Sequence, residues 1–143
     1  MHAAIARAER SRDLWATVNI CDTRRYPNRI GIRGQMPALG FRSSMSMRIR
    51  IDYWSPGRHA FVPVPDGHAG KLVQLGQAIY RSLQGGWSFA FGRGAGLLRA
   101  TVTFAWRRNG QLLGTKTAVT TSGHKRVDYA DPRHYSAATC RIN

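Results

Sequence analysis

The dipeptide Asn109-Gly110 constrains the fold of this chain more than any other feature of its sequence. A two-residue type I′ turn needs positive φ at both central residues, a conformation that asparagine and glycine accept most readily. The residues on either side, over 97–121, alternate between apolar and polar side chains. The sequence therefore predicts an antiparallel β-hairpin with one face on a core and the other in water.

A two-residue turn also predicts which residues of the hairpin lie opposite each other. The inner face would contain the pairs Trp106–Leu113, Phe104–Thr115, Val102–Thr117 and Ala100–Val119. The outer face would carry Arg99, Thr101, Thr103 and Arg107, with Lys116 opposite Thr103.

Further strands are predicted along the rest of the chain. In Met45–Trp54, the predicted inward residues are apolar or tyrosine and alternate strictly with an outward set. That outward set includes Arg48, Arg50, Asp52 and Trp54. Other predicted strands cover 14–21, 29–36, 87–91 and 136–142. The first has two covered faces, as in an inner strand or one wrapped by the C-terminal tail. Phe61–Pro65 is expected to be extended, at a sheet edge or in a loop because of its prolines, and 66–70 is expected to be a loop.

Residues 71–84 fit two patterns. The spacing of their leucines and isoleucine suits a helix, but Gly76 interrupts it and no N-cap residue stands close before it. Two short strands bent at Gly76 fit the surrounding β pattern better, with Gly85-Gly86 as the following turn.

Length and composition indicate one folded domain. The 143 residues are 43% hydrophobic, and eight or nine short strands occur without alternating long helices. This favours an all-β fold, a two-sheet antiparallel β-sandwich with immunoglobulin-like architecture, although the immunoglobulin Cys-Trp-Cys spacing is absent. Residues 1–12 are expected as a flexible leader and 13–143 as the domain. No apolar run approaches the length of a transmembrane segment.

The chain is strongly basic. Lys+Arg number 22 against 7 Asp+Glu, which gives a net charge of +15. Such a field attracts nucleic acid, anionic lipid or an acidic cell-wall polymer. The cations are mostly arginine and are scattered along the chain, so codon usage in a GC-rich genome is the alternative explanation.

The two cysteines, Cys21 and Cys140, lie near opposite ends of the sequence. An extracytoplasmic protein would join them, whereas a cytosolic one would keep two buried thiols. Neither has a neighbouring Cys or His at metal-ligand spacing, so the sequence favours a disulfide and predicts no metal or cofactor. Ala6-Arg7-Ala8 has the form of a signal-peptidase site without the apolar core of a signal peptide before it. Either the sequence starts after the apolar part of an export signal, or the tripeptide occurs by chance in an alanine-rich N-terminus.

Catalytic motifs are not evident. The acids are isolated, and no HExxH or GxSxG pattern occurs. Ser122 with His124, or Asp131 with His134, could be imagined as catalytic pairs, but closeness in sequence is not evidence for one. The sequence predicts a protein that is not an enzyme.

A basic binding face is the stronger hypothesis. The outward residues Arg48, Arg50, Arg99, Arg107 and Lys116 could form a positive sheet surface. Trp54, Trp87 and Tyr26 are the candidate aromatic contacts; interleaved with arginine they suit bases, and alone they suit sugar rings. The alternative is that Trp54 packs under the Pro56–Pro65 loop and the arginines are merely solvated.

Three segments, Trp15–Thr23, Ile30–Pro37 and Tyr135–Ile142, resemble uncharacterised exported proteins of high-GC Gram-positive bacteria. The resemblance implies export and a Cys21–Cys140 bridge, and it implies no activity. We therefore expect a non-enzymatic, secreted or cell-envelope-associated binding or structural module. A nucleic-acid-binding basic β domain and a carbohydrate-binding β-sandwich are the alternatives. The expected partner is an anionic polymer, either of the cell envelope or nucleic acid, or a protein.

Overall fold

Nine strands and one helix make up the regular structure in a computed structural model, which describes residues 1–65 and 70–143. The elements are α1 (His2–Glu9), β1 (Trp15–Cys21), β2 (Arg29–Met36), β3 (Ser43–Ser55), β4 (Ala60–Pro63), β5 (Lys71–Ala78), β6 (Leu83–Ala90), β7 (Gly96–Arg108), β8 (Gln111–Val119) and β9 (Cys140–Ile142). Strands account for 54% of the chain and helix for 6%, so the predicted all-β class is confirmed.

Two antiparallel sheets contain these strands. The smaller sheet has the order β1-β2-β6, and the larger has the order β4-β3-β7-β8. In the larger sheet β5 also pairs with β3, and β9 pairs with the first residues of β7. β4 pairs with β3, which agrees with the edge position predicted for the proline-containing segment. Of the loop predicted over 66–70, residues 66–69 lie outside the described part of the chain.

The core lies between the two sheets, which gives a sandwich-like fold. Fully buried apolar side chains come from β2, β3 and β7, and include Ile30, Ile32, Met45, Met47, Ile49, Ile51, Val102, Phe104 and Trp106. The sheets approach closely at Gly34, where an added Cβ would be 2.6 Å from Met47 Sδ. The inward alternation predicted for β3 and β7 is confirmed.

The predicted hairpin turn is present, but the predicted register is wrong. Asn109 and Gly110 have φ of 50° and 79°. Arg107 pairs with Leu112 while Trp106 pairs with Gly114, so Leu113 is an extra residue in a β-bulge. One extra residue exchanges the faces of everything beyond it.

Lys116 is the residue most affected by this bulge. It lies opposite Phe104, and the residue opposite Thr103 is Thr117, whose Oγ1 is 3.1 Å from Thr103 Oγ1. The predicted place of Lys116 on the outer face beside Thr103 is therefore corrected.

The ambiguous segment 71–84 is extended, as predicted, but its break lies elsewhere. β5 runs through Gly76, which has φ of 126° next to a register shift, and the chain turns over 79–82. Gly85 and Gly86 lie inside β6 and form no turn. A Cβ on Gly86 would be 2.6 Å from the Ile32 carbonyl oxygen, so close packing explains that glycine.

The N-terminal segment is packed, and the expected flexible leader over 1–12 is corrected. Ala4 and Ala8 of α1 are buried, and Ile5 fills the space above Gly114, where an added Cβ would be 2.8 Å from Ile5 Cγ2. Residues 1–12 therefore contribute to the same folded body as the strands. The cause is the bulge, which brings a glycine to the inner face of β8 and leaves room for the helix.

The C-terminal tail covers β1, the second of the two predicted arrangements for that strand. Val18 exchanges backbone hydrogen bonds with Ala137, and Asp131 N–H donates to the Asn19 carbonyl. The last strand covers 140–142 and is shorter than the predicted 136–142.

A disulfide joins Cys21 at the end of β1 to Cys140 in β9, with an S–S distance of 2.06 Å and a Cα–Cα distance of 5.4 Å. The predicted bridge is confirmed, and it links the smaller sheet to the larger. Within 1–65 and 70–143, no group of three or more His, Cys, Asp or Glu could hold a metal ion. No helix of that part of the chain has the length and apolarity needed to cross a membrane.

Candidate anion-binding face

Four of the arginines singled out in the sequence lie on the outer face of the larger sheet. Strands β3 and β7 are direct neighbours, with Arg48 opposite Thr103, Arg50 opposite Thr101, Asp52 opposite Arg99 and Ser44 opposite Arg107. Residues opposite each other share a face of the sheet. We call this surface, defined by Arg48, Arg50, Arg99 and Arg107, the arginine face.

The larger sheet carries far more positive than negative charge. On its strands the cations are Arg48, Arg50, Lys71, Arg99, Arg107, Arg108, Lys116 and Arg141. Asp52 is the only carboxylate on those strands as the structure describes them. A surface with this imbalance raises the local concentration of anions.

Asp52 is buried, with a side chain 2% exposed, and it neutralises one arginine. Arg50 Nε donates to Asp52 Oδ1 at 2.8 Å, and the Thr101 hydroxyl donates to Oδ2 at 2.6 Å. A buried carboxylate is stable only when its oxygens are satisfied in this way. The Asp52 carboxylate therefore holds Arg50 flat along the sheet.

The other three arginines have neutral partners. Arg48 Nη1 donates to the Gly70 carbonyl, Arg107 Nη1 donates to Ser46 Oγ at 3.3 Å, and the Arg99 guanidinium lies 4.1 Å from the centre of the Phe61 ring. These contacts orient the guanidinium groups without cancelling their charge. Each keeps N–H donors for an external anion.

The arginine face is long. Arg99 and Arg107 are eight residues apart on β7, which corresponds to about 27 Å along a strand. This is a shape for an extended ligand with repeated negative charge.

The three candidate aromatic residues lie in different places. Trp54 is on β3 and 37% exposed, with an edge contact to Phe61 at 5.4 Å, so it is partly covered by the segment named in the alternative interpretation. Trp87 is on β6 and 50% exposed, with Lys71 Nζ 3.9 Å from its ring centre. Tyr26 is in the β1–β2 loop beside Arg25. Within the described residues no ring contact joins any two of these three.

The imagined catalytic pairs have other partners. His124 Nε2 is 2.6 Å from Thr121 Oγ1, and its ring stacks on Trp15 at 4.5 Å; burial lowers the pKa of His124. Asp131 Oδ2 accepts a hydrogen bond from Thr23, and His134 Nδ1 is 3.3 Å from the Lys125 carbonyl. The His124–Trp15 and Asp131–Thr23 contacts attach the C-terminal tail to the fold, and the other two lie within the tail.

A polar cluster on the smaller sheet also serves the tail. Arg33 Nε donates to Gln84 Oε1 at 3.1 Å, and its guanidinium lies 4.9 Å from the Tyr129 ring centre and 4.0 Å from Asp128. Burial lowers the pKa of Arg33, while Asp128 and then Tyr129 act in the opposite direction. The Asp128 carboxylate offsets the positive charge of Arg33, whereas the contacts given above for Arg48, Arg99 and Arg107 are all neutral.

Sequence reasoning missed several residues of the arginine face. Thr101 and Asp52 were both placed outward, but their hydrogen bond depends on the β3–β7 register, which no local pattern contains. Phe61 was assigned only to an edge. Arg108 had a visible signal in the Arg107-Arg108-Asn109-Gly110 sequence at the turn, whereas the position of Arg42 at the same end of the sheet depends on the β3–β7 pairing.

No family model, curated protein or solved structure with which the chain was compared matches it.

Proposed function

We propose that this protein is a non-enzymatic, extracytoplasmic binding module whose arginine face holds a phosphate-bearing polyanion of the cell envelope. The observation that carries the proposal is the arginine face, where three guanidinium groups with neutral partners lie along about 27 Å of strand. Asp52 is the single described carboxylate on the strands of that sheet. A row of charges of this kind matches a polymer better than a single small molecule.

The disulfide supports a location outside the cytoplasm. Cys21 and Cys140 are joined, and structural disulfides persist mainly in oxidising compartments. Export is also what the resemblance to exported proteins of high-GC Gram-positive bacteria implies.

The positions of the aromatic residues favour a polymer without bases over nucleic acid. Single-stranded nucleic acids are held by aromatic side chains interleaved with basic ones. Here Trp87 and Tyr26 lie off the larger sheet's strands, and the Trp54 ring contacts Phe61. The same scatter leaves the carbohydrate alternative without a shared aromatic surface.

The strand order supports an immunoglobulin-like architecture for the module. An immunoglobulin sandwich has strands A, B, E and D in one sheet and C, F and G in the other, with C′ beside C in the variable type. The smaller sheet here has three strands and no counterpart of D in the described residues. The orders β1-β2-β6 and β4-β3-β7-β8 match A-B-E and C′-C-F-G when β5 and β9 are treated as additions. We therefore propose this architecture as the framework of the arginine face.

The salt dependence of binding tests the proposal. Affinity for a polyglycerol-phosphate probe is measured from low to moderate salt for the wild type, for Arg48→Gln/Arg107→Gln, and for Arg24→Gln/Arg25→Gln. The last pair removes the same charge from the β1–β2 loop. We expect the slope of log K against log salt to become shallower by roughly 1.5 for the face variant, at about 0.7–0.9 per phosphate contact. The loop variant is expected to keep the slope.

Equal effects of the two double variants would mean that net charge alone binds the probe, and the arginine face would then have no special role. Salt-independent binding to an uncharged polysaccharide, with none to the polyanion, would replace the proposal with the carbohydrate alternative.

A further inference from the structure

A small cleft opens at the end of the larger sheet, where the β7–β8 turn meets the start of β3 and the end of β5. Its volume is about 200 Å³, and its lining residues are Arg42, Ser43, Ser44, Gln77, Arg107, Arg108 and Asn109. We call it the hairpin-end cleft. It adjoins the arginine face through Arg107.

Three arginines line the hairpin-end cleft without a carboxylate. None of its described lining residues is acidic, and neither described ion pair includes Arg42, Arg107 or Arg108. Like charges gathered in one place repel each other, and an anion between them removes that repulsion. The cleft is therefore suited to a negatively charged group.

Neutral contacts hold these arginines in place. Arg42 Nη1 donates to Gln77 Oε1 at 3.4 Å, and Gln77 Nε2 donates to Ser44 Oγ at 3.3 Å. The Arg108 guanidinium lies 5.0 Å from the centre of the Phe41 ring. Because Ser44 Oγ accepts from Gln77, its own proton is available to a ligand oxygen. The cleft thus combines three cations with a hydroxyl donor.

Size and chemistry narrow the ligand further. A volume of about 200 Å³ corresponds to roughly six or seven waters at about 30 Å³ each, enough for a tetrahedral oxyanion and the group attached to it. Arginine forms paired hydrogen bonds with phosphate oxygens, and three arginines from two segments, Arg42 just before β3 and Arg107 and Arg108 at the end of β7, suit a group with several oxygens better than a flat carboxylate. The Phe41 ring is already in contact with the Arg108 guanidinium.

We infer that the hairpin-end cleft is a phosphate site, with Arg42, Arg107 and Arg108 as its charged ligands and Ser44 as a hydroxyl donor. The inference deepens the proposed function, on which it rests, because it names the cleft where a phosphate of a base-free polymer is anchored before the chain continues along the arginine face.

The test is a titration of the full-length protein with inorganic phosphate, followed by the NMR signals of the Ser44, Gln77 and Asn109 amides and the arginine side chains. Arg42→Gln and Arg108→Gln are expected to weaken phosphate binding about 10-fold each, the effect of losing one charge-assisted hydrogen bond. Arg24→Gln, which removes an exposed arginine from the β1–β2 loop outside the arginine face, is the matched control and should change phosphate affinity less than about 2-fold. Acetate is expected to bind measurably more weakly than phosphate.

Phosphate shifts that do not saturate, or that Arg24→Gln weakens as much as Arg42→Gln does, would overturn the phosphate site. Acetate binding as tight as phosphate would overturn the choice of phosphate. If the same protein samples still bound polyglycerol phosphate with a steep dependence on salt, the proposed function would stand. Only the assignment of the hairpin-end cleft as a phosphate site would then be wrong. Preferred binding of single-stranded DNA through the cleft would overturn the base-free polymer. Unchanged thermal melting of each variant shows that the fold is intact.

Discussion

Asp52 and Thr101 determine how much of the arginine face is free to bind. The carboxylate is 2% exposed, and removing it from water costs several kcal/mol unless its oxygens are satisfied. Arg50 and Thr101 donate to it at 2.8 and 2.6 Å, so Arg50 is committed to the fold. Arg48, Arg99 and Arg107 remain for an external anion.

The Thr101–Asp52 hydrogen bond gives a prediction for two matched threonines. Thr101→Val keeps the shape of the side chain but removes a donor to a buried carboxylate, and we expect it to cost about 1–3 kcal/mol. Thr103→Val, two residues along the same face, removes an exposed contact to Thr117 and should cost less than about 0.5 kcal/mol. Urea denaturation measures both, and equal losses would contradict this role of Thr101.

His124 gives a prediction for the effect of pH on stability. Burial lowers its pKa in the folded protein below the usual value of about 6.5 in the unfolded chain. The unfolded state therefore binds the proton more readily, so the contribution of neutral His124 is present above about pH 6.5 and is lost as the pH falls below it. We expect wild type to lose more stability than His124→Gln between pH 7 and 5.

The control for this prediction is His2→Gln, since His2 is exposed on α1. It should follow the wild-type stability across the same pH range. If His124→Gln followed wild type as closely as His2→Gln does, the His124–Thr121 and His124–Trp15 contacts would have no pH-dependent effect.

At the level of single residues, alternation in the sequence placed Arg48, Arg50 and Trp54 outward, and the structure agrees. Lys116 could not be placed correctly, because its face depends on an extra residue, Leu113, in its own strand β8, which no turn rule predicts. The neutral partners of Arg48, Arg99 and Arg107 come from distant segments and were also beyond reach of local patterns.

Among the elements, β8 shows how one inserted residue reorganises a strand. The bulge at Leu113 brings Gly114 opposite Trp106, and the missing side chain makes room for Ile5 of α1. The helix, the bulge and the glycine therefore depend on one another. The hairpin could be predicted from Asn109-Gly110, whereas the packed helix could not, because nothing in residues 1–12 shows that a gap exists on β8.

Filling that gap is expected to displace the helix. In Gly114→Val the Cβ would start 2.8 Å from Ile5 Cγ2, and overpacking of this kind costs about 1–3 kcal/mol. Gly92→Val is the matched control, because nothing lies within 4 Å of its added Cβ and its φ is not positive. Denaturation and the NMR signals of Ala4 and Ala8 measure the effect. An unchanged helix in Gly114→Val would mean that Ile5 does not depend on the glycine.

For the whole molecule, the disulfide and the tail connect the two sheets. Cys21 and Cys140 are 119 residues apart in sequence, and a bridge that closes such a loop stabilises by about 5 kcal/mol on chain entropy alone. We expect Cys21→Ser/Cys140→Ser to lose about 2–5 kcal/mol in denaturant unfolding, with polyanion binding kept wherever the variant is folded. Adding a reductant should lower the stability of the wild type toward that of the variant and leave the stability of the variant unchanged. Equal stability of the two proteins would show that the tail alone holds the sheets together.

The all-β class, the two antiparallel sheets and the bridge could be predicted because they follow from alternation, turn residues and a pair of cysteines. The scattered cations could not be sorted in the same way. Of the arginines, the sheet brings Arg48, Arg99 and Arg107 to one surface, while Arg33 meets Asp128 on the other sheet. This distribution of arginines depends on long-range strand pairing. It concentrates part of the net charge of +15 on one face of the larger sheet.

The most direct test of this account is a map of the backbone amide signals that change when polyglycerol phosphate is added to the protein at low salt. The account predicts changes confined to β3 with the residues just before it, β7, the end of β5 and the β7–β8 turn, centred on Arg48 and Arg107, and reversed by added salt. Changes centred on the smaller sheet around Arg33, or spread evenly over both sheets, would contradict it.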